Sequence, residues 1–293
     1  MWEDVVVGVI AGFLTRVYLL RLDYRQYPTY PHAYLTHLVL GGVASVLGAV
    51  AIPALLQREY VAVTFLVLAA QQFREIRAME RDSLSHLEGQ ELTERGQAYI
   101  ETIARTFEAR NYLAMLAALT ASSITHFTDP RWGAAAGLAW PFLGALLSKG
   151  QRLGDIATVR AARPRFEETL LWVEDVQIME VGLGEARQTM LEYGRAVIIE
   201  PKDDNARCTL QALGQRQALA HDATRILGLR KDFDYIEFTP LVRREIHSGR
   251  VALFIVASEP DEEALVELVR RAPVLESVRK LPLATRAGRR ASD

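Results

Sequence analysis

"THLVLGGVASVLGAVAIPALL", Thr36 to Leu56, runs for 21 residues without an Asp, Glu, Lys or Arg. A helix that crosses the hydrocarbon core of a bilayer needs about 20 apolar residues, and a soluble helix of that length normally keeps a polar face. Four more apolar runs share the same part of the chain: Val5 to Leu20, Tyr60 to Ala70, Tyr112 to Phe127 and Trp132 to Leu147. The pattern predicts an α-helical membrane domain of about five transmembrane helices over residues 1–150. In the first run the basic residues follow the apolar stretch and no A-x-A-like site comes after it, which predicts a retained helix and not a cleaved signal.

The charge count agrees with that division. Residues 1–150 hold 12 Lys/Arg and 13 Asp/Glu, and residues 151–293 hold 22 and 23. Neither half carries the basic field that attracts nucleic acid, so none is expected as a partner. With five spans, Arg21, Arg25, Arg74, Arg77, Arg81, Arg95, Arg105, Arg110 and the basic residues after Leu147 fall on one side, and only Arg58 and Arg131 on the other. The positive-inside rule then predicts a multi-pass cell-membrane protein with its N-terminus outside and its C-terminal half in the cytoplasm. The single cysteine, Cys208, rules out an intrachain disulfide and multi-cysteine metal sites, and it reads as a small helix residue.

Polar residues inside apolar runs are where function is sought in a membrane domain. Arg16 lies within the first run, so it either reaches the interface or finds a partner, for which Asp23 is the natural choice. Arg25, His37 and the tyrosines of "RLDYRQYPTYPHAYLTH" (Arg21 to His37) mark the adjoining boundary, where tyrosine belts are usual. His32 and His37 lack a third ligand at metal spacing, and no metal or cofactor is expected. Small residues at Gly8/Gly12, Ala44/Gly48 and Gly133/Gly137 allow close helix approach, either internally or in a homo-oligomer.

Residues 71–111 read as a cytoplasmic helical loop with charges at helical spacing. Within it Tyr99, Ile100, Ile103, Ala104 and Phe107 share one apolar face, and Tyr99, Glu101, Arg105 and Glu108 are candidates for binding a protein partner. "YIETIA" (Tyr99 to Ala104) resembles the motif of the YIEGIA family, multi-spanning membrane proteins of endospore-forming bacteria, with Thr102 at the family's glycine position. The resemblance extends through "DYRQYPTYPHAY", "GAVAIPALL" and "AAQQFREIRAMER". It implies a cell or forespore membrane location and a role in spore envelope assembly. Glycine permits a close backbone approach that threonine does not, so the substitution bears on packing at residue 102.

Residues 151–193 read as a basic connector with one strand, "LWVEDVQIMEV" (Leu171 to Val181). In residues 194–283 the order is strand "RAVIIEP", helix Asn205 to Gly228, a hairpin turning at His247 to Gly249, helix "PDEEALVELVRRA" and last strand "VLESVRKL". That is β-α-β-β-α-β, so a cytoplasmic α+β domain of ferredoxin-like type is predicted, with residues 284–293 as a disordered tail. "EVGLGEA" lacks the spacing and the Lys of a phosphate loop and reads as a turn.

Glu101, Glu108 and His86 fall at no catalytic spacing, so no catalytic residue and no enzymatic activity are expected. The expected function is a membrane scaffold or assembly factor contacting lipid and a protein partner. The alternative is a small-solute or ion transporter regulated by its cytoplasmic domain.

Overall fold

The computed structural model describes residues 2–27, 33–58, 60–147, 150–232, 235–236 and 238–291. The chain forms two compact units, Met1–Leu84 with Ile103–Lys149 and Ser85–Thr102 with Gly150–Asp293. Both are therefore discontinuous in sequence.

The first unit is helical. It is built from α1 (Trp2–Gln26), α2 (Tyr34–Leu56), most of α3 (Tyr60–Leu87), most of α4 (Gln97–Phe127) and α5 (Pro130–Leu147). Glycines set the approach of the backbones: a methyl added to Gly12 would lie 2.6 Å from both the Ala114 carbonyl oxygen and the Ser45 hydroxyl. Gly8, Ala44, Gly48, Gly133 and Gly137 are buried as well, so these small-residue faces are taken up by neighbouring helices of the same unit. The Ser122 hydroxyl ties α4 to α2 by donating to the Ala49 carbonyl at 2.7 Å.

Large apolar side chains point the other way. On α1, Trp2 is 77% exposed and Ile10 54%, with Val6 and Leu14 also outward; on α2 Val39, Val43 and Val46 are exposed. Thr15, Arg16, Asp23, His37 and Ser45 are buried instead.

Five spans are not found. Among the described residues only two helical stretches, Trp2–Tyr24 and Tyr34–Leu56, are long and apolar enough to cross a membrane. The apolar run Tyr60 to Ala70 has 11 residues and continues as a charged helix, and Tyr112 to Phe127 has 16 and is the end of a helix that begins in charge. The 18 residues of α5 rise about 27 Å, short of a hydrocarbon core of about 30 Å. An even number of crossings also returns the chain to its starting face, so the opposite placement of the two termini loses its basis.

The second unit is built on a four-stranded antiparallel sheet. Short α6 (Leu153–Ile156) leads into β1 (Ala157–Ala162), followed by β2 (Pro164–Glu167), β3 (Leu170–Val173), β4 (Val176–Glu180), α7 (Gly184–Tyr193) and β5 (Gly194–Pro201). Next come α8 (Asp204–Leu210), α9 (Leu213–Leu227), the two-residue β6 (Lys231–Asp232) and β7 (Tyr235–Ile236), β8 (Leu241–Arg244), β9 (Val251–Val256) and α10 (Glu262–Arg271). The main sheet runs β1-β5-β9-β8, and β2-β3-β4 form a separate sheet.

Alternation along the inner strands divides the core. Val197, Ile199, Val251, Leu253 and Ile255 pack with Leu219 and Ala223 of α9 and Leu265 and Val269 of α10. Ala196, Ile198, Ala252, Phe254 and Val256 face the small sheet through Leu171, Val173, Val176 and Ile178. Every residue of β9 is buried, as expected for a central strand covered on both faces.

This topology departs from the ferredoxin-like order. "VLESVRKL" forms a short 3-10 turn at Glu276–Val278, and β1, from the connector, takes an outer sheet position instead. "LWVEDVQIMEV" is a hairpin: Glu174, with φ 54°, turns the chain between β3 and β4. The helix expected over Asn205 to Gly228 breaks at Gln211 and Ala212. The tail is helical at Arg286–Ala291. The β8/β9 hairpin and α10 lie where expected, α10 capped by Asp261 accepting from the Ala264 N–H at 2.9 Å.

Gly12→Ala forces backbones apart and lowers stability by about 1–3 kcal/mol, read as a lower thermal midpoint of the full chain. Asp222 on α9 has an unpartnered, buried Oδ1, and burial pushes its carboxyl from the ordinary 3.8 up to about 7. The folded state therefore holds a proton that the unfolded chain has lost, and stability falls as pH rises from about 4 to about 7. Asp222→Asn raises the midpoint at pH 8 and leaves it unchanged below pH 4; an equal shift at both values refutes the assignment.

Candidate functional site

The helical unit buries a polar cluster where α1 meets α4. Asp23 is fully buried and bridges two arginines, taking Arg16 Nη1 at 3.3 Å and Arg110 Nε at 2.8 Å. Arg16, also fully buried, donates from Nε to Asn111 Oδ1 at 3.0 Å, and its guanidinium carbon lies 5.6 Å from the centroid of the Phe107 ring. Glycine at position 41 of α2 makes room for this side chain: a Cβ there would stand 3.0 Å from Arg16 Cβ.

Sequence spacing explains the convergence. Arg16 and Asp23 are seven apart, two turns along one face of α1, while Phe107, Arg110 and Asn111 lie within four residues on α4. The His37 ring stacks on Phe107 at 4.3 Å, and its Nε2 lies 3.7 Å from Glu80 Oε1 on α3. Burial pushes the Glu80 carboxyl up to about 7 against the opposing field of Arg16. Tyr27 seals one side, its hydroxyl 2.9 Å from that of Thr106.

Arg16, Asp23 and His37 thus belong to one cluster, and Arg16 is paired with Asp23. Arg25 lies within α1, but its side chain and all of His32 fall outside the described residues. Glu80, Arg110 and Asn111 escaped sequence reasoning. Arg110 was counted only as a loop charge, and its position directly before the run "YLAMLAAL" was the available signal.

The "YIETIA" residues play another part. Tyr99 is buried in the sheet unit, where its N–H donates to Gln217 Oε1 of α9 at 3.1 Å. Thr102 is buried too, its hydroxyl bonded to the Ala98 carbonyl at 2.8 Å. Opposite it stands Gly214 of α9, where an added Cβ would lie 2.7 Å from Thr102 Oγ1 and 2.9 Å from the Ala98 oxygen. The close approach is therefore supplied by a glycine on the facing helix. Glu101 is half-buried, Arg105 is exposed, and Glu108 lies 3.6 Å from Arg77. Among the described residues no group of three or more His, Cys, Asp or Glu is placed to hold a metal ion.

Chemically the cluster is an electrostatic clasp with two fixed cations on one carboxylate. Removing that carboxylate takes an ionic acceptor away from two buried guanidinium groups at once. Asp23→Asn is expected to cost about 3–5 kcal/mol, measured by denaturant unfolding of the purified full chain, whereas Arg105→Ala at the exposed position costs about 0.5 kcal/mol or less.

Residues 4–285 match the YIEGIA family, described as "YIEGIA protein". The chain is 40% identical over 279 residues to a protein of Bacillus subtilis (strain 168) described as "Uncharacterized protein YphB", covering 95% of this chain and 94% of the relative. No solved structure matches.

Proposed function

The chain belongs to the YIEGIA family, and on that premise we propose that it is a non-enzymatic membrane scaffold or assembly factor acting in spore envelope formation. Trp2–Tyr24 and Tyr34–Leu56 seat it in the cell or forespore membrane, and a protein partner binds outside the lipid. The observation that carries this reading is the inverted helical unit: Trp2, Ile10, Val39 and Val43 face outward while Arg16, Asp23 and His37 lie inside. Water would penalise that outward face, and lipid would not. The Bacillus relative, similar over nearly its whole length, supports the family assignment on which this reading rests.

A second reading, passage of a small solute or ion, is favoured by the Arg16–Asp23–Arg110 cluster, since ionisable groups buried among apolar helices commonly mark a pathway.

Two experiments test the scaffold. After alkaline carbonate extraction the wild type stays with the membrane pellet, and Val43→Arg on the outward face of α2 moves a substantial fraction to the supernatant. Full release of the wild type refutes membrane seating. Crosslinking of the tagged full chain in sporulating cells then yields one stoichiometric partner, lost in Glu101→Ala/Arg105→Ala while pellet association persists. If no partner is recovered from either form, the scaffold reading fails and solute flux in reconstituted vesicles becomes the comparison.

A further inference from the structure

The two edges of the main sheet differ. On the β8 side the Val242 carbonyl, which points away from β9, is taken by Arg216 Nη1 at 3.3 Å. On the β1 side no such cover is present among the described residues. The Lys202 N–H donates to the Ile156 carbonyl at 3.0 Å and extends the β1/β5 register by one step. Hydrogen-bonded and non-hydrogen-bonded pairs alternate along an antiparallel ladder, so Thr158, Arg160 and Ala162 bond to β5, while Val159 and Ala161 turn their N–H and C=O groups to the open edge. An uncovered edge is a template for another strand.

What lies beside that edge selects the strand. Leu265 and Val269 of α10 pack with Ala157 and Val159 of β1 and with Val197 and Ile199 of β5, which seats the helix over these two strands. A groove of about 490 Å³ is lined by Val159 and Ala161 of β1 and by Glu263, Val266 and Arg270 of α10. Along it the helix is acidic at its start, apolar in the middle and basic at its end. Glu262 and Glu263 form no ion pair among the described residues, whereas Arg270 and Arg271 share the carboxylate of Glu267 at 3.2 and 2.5 Å. That polarity suits the helix dipole. It is also self-complementary, since a copy turned end for end presents base to acid and acid to base.

We propose that β1 is the interface of a two-fold homodimer, in which the edges of two copies join antiparallel into one continuous sheet. Pairing Val159 with Ala161 of the second copy uses the outward N–H and C=O groups of both. The axis then passes by Arg160, which brings its own counter-charge in Glu174, at 2.6 Å from Nη2. A two-fold axis normal to the sheet keeps both α10 helices on one face and runs them antiparallel, so Val266 meets its mate and Glu263 lies toward Arg270 of the second copy. Helices seated between β1 and β5 stand two strand spacings, roughly 10 Å, apart, which is an ordinary helix packing distance. The dimer draws on none of the residues that carry the scaffold reading and holds whether or not the helical unit enters lipid.

The test is the oligomeric state of the full chain in detergent, measured by sedimentation velocity over a protein-concentration series. Wild type is expected to form a dimer that dissociates on dilution. Ala161→Pro removes an outward donor without touching the β5 ladder, and leaves a monomer with unchanged circular dichroism. Glu263→Arg alone and Arg270→Glu alone, both at exposed positions, set like charges across the axis and weaken the dimer about tenfold. An equimolar mixture of these two variants restores wild-type association, because each meets opposite charge in the other; if Ala161→Pro unfolds the chain, the mixture decides. A monomeric wild type overturns the proposal. So does a dimer that survives folded Ala161→Pro, which places the contact elsewhere, or a mixture that associates no more tightly than either variant alone. A monomer that instead binds an extended peptide of alternating Lys and Val, with binding lost in Ala161→Pro, also overturns it and assigns the edge to a strand of another protein.

Discussion

Asp23 is the constraint around which the helical unit is arranged. One carboxylate holds Arg16 of its own helix and Arg110 of another, all three buried. Each guanidinium fixes an angle as well as a distance, so α1 and α4 cannot slide past one another without breaking a charge-assisted bond. Glycine at 41 and the small residues at 8, 12 and 48 follow from this: the helices must come close enough for α1 to reach both neighbours. A buried ion pair of this kind adds little net stability over an apolar substitute, and its value lies in permitting one arrangement.

The sheet unit is specified differently, by apolar volume. The inner strands β5 and β9 supply side chains to two cores at once, and the polar groups of α9 settle against residues 93–102. His221 gives its Nδ1 proton to the Thr93 carbonyl at 2.8 Å, and burial lowers its pKa. The conspicuous motif of the chain is thus a packing element in which Tyr99 and Thr102 fit a helix that carries glycine at 214.

What was legible in the sequence depended on the range of the signal. The run Thr36 to Leu56 is local, and it yields one helix of nearly the expected bounds. The hairpin before β9 was equally legible because Gly249 adopts φ 72° and Glu245 accepts the His247 N–H at 2.8 Å, both local events. Counting five spans failed because apolar character was read without helix length: the helices of Tyr60 and Gln97 are partly charged, and that of Pro130 is short. The outer strand of the main sheet was misplaced because an outer position can be filled from either end of a domain, and only pairing of Ala157–Ala162 with β5 decides it. In the cluster, the Arg16–Asp23 pair was visible at a spacing of seven, while Arg110, 87 residues from Asp23, was not.

The interrupted course of the sheet unit also sets an order of events during synthesis. Residues 85–102 leave the ribosome long before α9: Tyr99 and its partner Gln217 are 118 positions apart. At typical translation rates that gap lasts roughly 6–24 s, during which Tyr99 has no α9 to pack against. The nascent chain must shelter this side chain while the intervening strands are made, and only the late arrival of α9 ends the exposure.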